Sequence, residues 1–192
     1  MLFSDTYKTI TREGHGLYKD RGSRFIGLAV PVTSQEEIKK RLEELRKEYH
    51  DARHHCYAWV LSPDRQSWRA NDDGEPSGTA GKPILGQINS KELTNILVVV
   101  IRYFGGTLLG VSGLINAYRS AAEESITDAG ITEKLVMQTY LITFPYLAMN
   151  DVMKVLKEEG CIQASHQYGN DCSIEISMRS STSDRILERL RK

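Results

Sequence analysis

The sequence predicts an α+β fold in two parts, residues 1–131 and 132–192 of a 192-residue chain. Three observations point there. Short runs rich in β-branched and aromatic residues alternate with amphipathic segments of helical period. The most apolar run, Ile96 to Ile101, does not alternate, which marks a strand buried on both faces. After Thr132 the elements read β-α-β-β-α, one strand short of a ferredoxin-like unit.

Taken in order, Tyr7 to Thr11 reads as a short strand and Arg24 to Val32 as a stronger one. Ser34 opens a helix, with Glu37 as its capping-box partner. Ile38, Leu42, Leu45 and Tyr49 share one face of that helix. His55 to Leu61 is a strand. Pro83 suits the first position of a helix reaching Leu93, because an N–H is not needed there. Asn95 to Tyr103 is the buried strand. A helix follows from Ser112 to Ala129, its apolar side built from Leu114, Ile115, Ala121, Ala122 and Ile126, and Gly130 ends it. Leu135 to Phe144 is a strand closed by Pro145, and Leu147 to Glu159 a helix stopped by Gly160. Cys161 to Tyr168 and Cys172 to Met178 form a hairpin around Gly169-Asn170. Thr182 or Ser183 caps a last helix carrying Ile186, Leu187 and Leu190.

Twenty-five basic residues balance twenty-five acidic ones. Zero net charge argues against a strongly basic nucleic-acid binder but allows a local basic patch. No apolar stretch is long enough to cross a bilayer as a helix, so no membrane is expected among the partners. Met1-Leu2-Phe3-Ser4-Asp5 lacks the features of a signal peptide. Cys56, Cys161 and Cys172 form no CxxC pair, which fits buried, reduced thiols in a cytoplasmic protein.

Two glycine-punctuated loops, Asp72 to Pro83 and Arg102 to Gly113, carry the candidate site. The first ends in Gly81-Lys82 but is no P-loop: Pro76 stands where glycine is required and Pro83 follows the lysine. The helix that follows would still offer free N–H groups to an anion or a partner. The plainer reading is a loop that packs on itself. Asp72, Asp73 and Glu75 have the chemistry to hold Mg²⁺, to sit as a solvated acidic turn, or to pair with nearby Arg or Lys. Arg53-His54-His55-Cys56 contains metal-ligand types, but strand neighbours point to opposite faces, and no second cluster has zinc spacing. No metal, cofactor or catalytic residue is therefore assigned, and His54 or His55 reads as a surface contact. The second loop matches neither a nucleophile elbow, since Leu114 replaces the last glycine, nor a dinucleotide fingerprint. Its glycines suit tight strand-to-helix packing. Arg102 and Tyr103 remain contact residues for a phosphate or carboxylate and for a base.

Asp51-Ala52-Arg53-His54-His55-Cys56-Tyr57-Ala58-Trp59, then Asp72 to Pro83, then Val98-Val99-Val100-Ile101-Arg102-Tyr103-Phe104-Gly105-Gly106 and on to Gly110, resemble the Impact family in its short bacterial YigZ-like form. The resemblance covers residues 19–130 in order and spacing, and extends more weakly to the rest through element order. It implies an N-terminal domain of the ribosomal protein S5 domain 2-like fold. It also implies a ferredoxin-like C-terminal domain, and similarity to the adjacent last two domains of the translocating elongation factor, which reach into the ribosome. Eukaryotic members regulate the stress response at translation initiation by competing for the protein that activates an eIF2-alpha kinase. Their extra N-terminal domain has no expected counterpart here. No catalytic residues come with the family, so what carries over is a binding surface.

The expectation is a non-enzymatic, cytoplasmic protein binding RNA or a ribosome-associated partner, with a role in translation regulation. Arg53, His54, Asp73, Glu75, Thr79, Lys82, Arg102, Tyr103, Gly105 and Gly106 would form one docking face, their charged side chains pointing outward. A second reading is a hydrolase or phosphoryl-transfer enzyme working in an Asp73/Glu75/His54 groove. A third is an adaptor whose smaller sheet accepts a partner strand along an exposed edge.

Overall fold

The computed structural model describes residues 5–169 and 171–191. The chain runs β1 (Thr6–Ile10), β2 (Gly14–Asp20), β3 (Ser23–Pro31), α1 (Gln35–Glu48), β4 (His54–Leu61), β5 (Ser67–Asn71), α2 (Gly81–Ser90), β6 (Ile96–Tyr103), α3 (Gly110–Ala129), β7 (Ile131–Leu135), β8 (Met137–Pro145), α4 (Met149–Glu158), β9 (Ile162–Gln167), β10 (Asp171–Arg179) and α5 (Ser183–Leu190). It divides into a unit from Tyr7 to Lys134 and a second unit made of the residues up to Thr6 together with those from Leu135 onward.

In the larger unit an antiparallel sheet has the order β2-β3-β6-β4-β5, with β6 in the middle. The unbroken apolar run occupies that central strand for a physical reason. Ile96, Val98 and Val100 face α2 and α3, whereas Leu97, Val99 and Ile101 face α1. All six side chains are fully buried. Each contributes about 1.5–3 kcal/mol relative to exposure, so they fix where the sheet lies between its helices.

Ser34 caps α1 by accepting the Glu37 N–H at 3.2 Å. The return arm of the expected capping box falls one residue earlier: the Glu37 carboxylate accepts from the N–H of Thr33 at 2.7 Å and from its hydroxyl. Ile38, Leu42 and Leu45 are buried as their spacing requires. On the opposite face, α3 lies almost against strand backbone. A Cβ on Gly27 would stand 2.2 Å from the Ala121 carbonyl oxygen. One on Gly16 would stand 2.7 Å from the Ser125 nitrogen. The glycines that obscure β2 in the sequence are what let the helix seat.

The strand expected from Leu135 to Phe144 is in fact two. β7 pairs with β1, and β8 starts afresh at Met137. Between them Val136 leaves the ladder: its N–H donates to Asp5 at 2.8 Å and its carbonyl accepts from Ser180 at 2.8 Å.

In the smaller unit the described sheet has the order β8-β10-β9 and is antiparallel. Cys172, Ile174, Ile176 and Met178 alternate inward on β10 and pack with Val152, Leu156 and Ile186 of α4 and α5. The opposite sheet face, carrying Leu141, is exposed. The expected turn at Gly169-Asn170 includes Asn170, outside the described residues, as are Met1 to Ser4. No side chain caps α5: the Thr182 hydroxyl donates to the Arg179 carbonyl and the Ser183 hydroxyl to that of Ser180. Asp5 instead clasps this corner, accepting the Ser181 N–H at 2.9 Å and Arg179 Nε at 2.9 Å.

Candidate functional site

Register alone brings the two glycine-rich loops together. Arg24 on β3 stands opposite Tyr103 on β6, and Arg102 stands opposite His54 on β4. The start of β3, the start of β4 and the end of β6 therefore share one end of the sheet. β5 runs beside β4 and delivers the first loop to the same place. His54 Nδ1 lies 2.8 Å from the Asp73 carbonyl oxygen, the His55 N–H donates to Asp73 Oδ2 at 2.7 Å, and the Cys56 thiol donates to the Asp72 carbonyl at 3.0 Å.

The expectation of outward-pointing charge fails at the centre of this site. Arg102 and Glu75 pair inside the fold at 2.6 Å, with side chains 8% and 3% exposed. Tyr118 on α3 donates to the same carboxylate oxygen at 2.8 Å, and the Cys56 sulfur lies 3.3 Å from the Tyr118 hydroxyl. The reason is geometric. Arg102 follows the buried run and faces the α3 side of the sheet, where only a buried anion can satisfy it. Thr79 is buried as well, its hydroxyl donating to the Pro76 carbonyl at 2.7 Å. Burial pushes the Cys56 thiol and the Tyr118 phenol far up, with Glu75 adding to both shifts. A thiol so placed is inert as a nucleophile.

The anion-site expectation for the first loop is corrected too. α2 starts at Gly81, so Pro83 is its third residue. Asp72 already sits at this helix start: its carboxylate accepts the N–H of Gly81 at 2.8 Å and, just before the helix, those of Ala80 at 3.1 Å and Gly78 at 2.9 Å. Burial works against the charged form of Asp72, but these donors together with Lys82 outweigh it and hold the carboxyl below its ordinary value. Asp72 is thus the organiser of the loop, a role hidden in the sequence among three neighbouring carboxylates.

What faces outward is a rim. Arg53, Lys82, Gly105 and Gly106 are exposed, and His54 and Asp73 are half-buried. Tyr103 is also half-buried; it donates to Asp51 at 2.7 Å, and the Arg24 guanidinium lies 5.0 Å from its ring centre. The turn between β2 and β3 joins the rim at Gly105, whose N–H donates to the Ser23 hydroxyl at 3.0 Å. Sequence reasoning missed Arg21 and Arg24 on that hairpin, because β2 went unrecognised. Of the carboxylates tied to the loops, Glu75 is paired with Arg102 inside the fold, Asp72 and Asp73 are half-buried and accept backbone N–H groups, and Asp51, itself exposed, accepts from Tyr103. Among the described residues Arg21, Arg53 and Lys82 form no ion pair. The rim thus exposes Arg21, Arg53 and Lys82 beside Asp51 in a chain of zero net charge.

The Asp73, Glu75 and His54 set does not converge on a common point. His54 meets Asp73 through a backbone carbonyl, and Glu75 is committed to Arg102 and Tyr118. Among the described residues no three His, Cys, Asp or Glu side chains are placed to hold a metal ion, and no helix is long and apolar enough to cross a membrane. All three cysteines are free, Cys161 being half-buried rather than buried.

Residues 21–126 match the family model described as the Impact N-terminal domain. The chain is 31% identical to the IMPACT family member YvyE of Bacillus subtilis over 170 residues, 88% of this chain and 78% of that protein. It is 38% identical to the IMPACT family member YigZ of Escherichia coli over 136 residues, 70% of this chain and 67% of that one. A crystal structure of a hypothetical protein superposes with a TM-score of 0.77 at 28% identity, covering 98% of this chain and 92% of that one.

Proposed function

We propose that this chain, which belongs to the Impact family, is a cytoplasmic, non-enzymatic protein that binds RNA of the translation apparatus at the loop-bearing end of its larger sheet and acts there as a regulator. The observation that carries this reading is the charge separation at the rim. Glu75 is paired inside the fold and Asp72 and Asp73 are half-buried and bound to backbone N–H groups, whereas Arg21, Arg53 and Lys82 face solvent without an ion pair among the described residues. Phosphate binding needs such an arrangement, and it does not need a basic protein overall. The family's translation role, implied by the sequence motifs, supports the choice of RNA. Free cysteines support a reducing compartment. In this reading the larger unit is S5 domain 2-like and the smaller one ferredoxin-like; the placement of β10 between β8 and β9 supports the latter.

The test is an RNA titration at several salt concentrations, comparing wild type with an Arg21→Ala, Arg53→Ala, Lys82→Ala triple variant. Each lost phosphate contact lowers the slope of log affinity against log salt by about 0.7 for a single strand, so the variant is expected to lose about 2 units of slope. Superimposable titrations of variant and wild type would remove this rim from the proposal.

A further inference from the structure

Phe104 is the first residue after β6 and is 54% exposed. Its neighbours hold it in place. The Arg102 guanidinium lies over its ring at 5.5 Å, and the same guanidinium lies 5.5 Å from the ring of the fully buried Phe25. Phe25 in turn meets Tyr118 edge-on at 5.1 Å. A series of aromatic and cationic groups thus starts in the core and ends in solvent at Phe104. Arg102 is itself fixed by Glu75 at 2.6 Å. The residue after Phe104 is clamped as well: a Cβ on Gly105 would stand 1.9 Å from the Gly22 carbonyl carbon, so the two backbones touch. That contact sets Arg21 of the β2–β3 turn beside the loop.

Resting on the RNA reading above, we propose that the rim is specific for single-stranded RNA, with one unpaired base stacked on Phe104 and adjacent phosphates held by Arg21 and Arg53. A flat ring anchored in advance loses little freedom when a base settles on it. Every base has a π face, so such a platform tolerates sequence. A duplex keeps its base faces inside the stack and has none to offer. The buried Arg102 thereby serves the site as a positioning residue beneath the ring.

The experiment uses fluorescence anisotropy at low salt with three labelled probes of equal length: a single-stranded RNA of mixed sequence, its blunt duplex, and an abasic strand that keeps the phosphates. Wild type is expected to prefer the single strand. Phe104→Ala is expected to weaken single-strand binding about ten-fold, the lower-middle range for loss of one stacked base. Phe104→Trp is expected to restore it, and binding of the duplex and the abasic strand should not change. An unaltered thermal melt of both variants keeps the comparison clean. If single and abasic strands bind alike, or Phe104→Ala changes nothing while the Arg21/Arg53/Lys82 variant still weakens binding, the stacking proposal falls and the RNA reading stands. If wild type binds none of the probes, both fall, and the exposed stretch of Phe104, Leu108 (81%) and Val111 (61%) is a protein contact instead.

Discussion

Arg102→Ala should destabilise the larger unit far more than a rim substitution would. Removing Arg102 strands the Glu75 carboxylate, 3% exposed, with the Tyr118 hydroxyl as its remaining described side-chain donor. Removing one partner of a buried pair costs about 3–5 kcal/mol. The guanidinium also packs on Phe25 and Phe104, which places the expectation at about 4 kcal/mol. For a unit of this size that is a fall of about 12–20 °C in melting temperature. Intrinsic fluorescence follows the right unit, because Trp59 and Trp68 both lie between Tyr7 and Lys134. A Glu75→Leu, Arg102→Met double variant leaves no charge stranded and should recover most of the loss. The reasoning is refuted if Arg102→Ala melts within 1 kcal/mol of wild type by urea titration, an allowance of about the size of a surface effect, or if the double variant is no better than the single one.

Asp72→Ala removes the acceptor for three N–H groups and should cost about 1–2 kcal/mol, read in the same urea titration. Because the folded Asp72 carboxyl sits below its unfolded value of about 3.9, its contribution is whole above that pH and is lost as pH falls through the folded value; the variant's acid-denaturation curve should be correspondingly flatter, and identical curves would count against the assignment. Burial lowers the His55 pKa more than facing Asp73 raises it, so the folded state binds protons less readily than the unfolded one. Stability should therefore decline as pH falls below about 6.5, and His55→Gln should flatten that decline when melts are compared between neutral and mildly acidic buffer. Gly27→Ala puts a methyl group 2.2 Å from the Ala121 oxygen and should cost about 1–3 kcal/mol by pushing α3 off the sheet; a wild-type melting temperature would contradict the close packing.

The parts of this fold legible in the sequence were those where one physical effect dominates. The run from Ile96 to Ile101 could only be a central strand, and Ser34 with Ile38, Leu42 and Leu45 announced α1. β2 was illegible because Gly14 and Gly16 look like loop until α3 is seen resting on them, a contact between residues more than a hundred positions apart. β5 was missed because a short, polar edge strand shows little alternation. At the candidate site the meeting of the two loops was legible, since residue types and glycines marked both. The direction of each side chain was not. A strand's period of two puts Arg102 on the α3 side of the sheet and Tyr103 on the α1 side, but whether a buried arginine is tolerated depends on a carboxylate supplied by a distant loop.

Asp5 gives the smaller unit an unusual dependence on chain order. Its carboxylate holds Ser181 and Arg179, so a residue that precedes the larger unit completes a unit most of whose described residues follow it. During synthesis the Tyr7–Lys134 unit has all its strands before Leu135 leaves the exit tunnel and can form early, whereas the smaller unit must wait for residue 181 to return to residue 5.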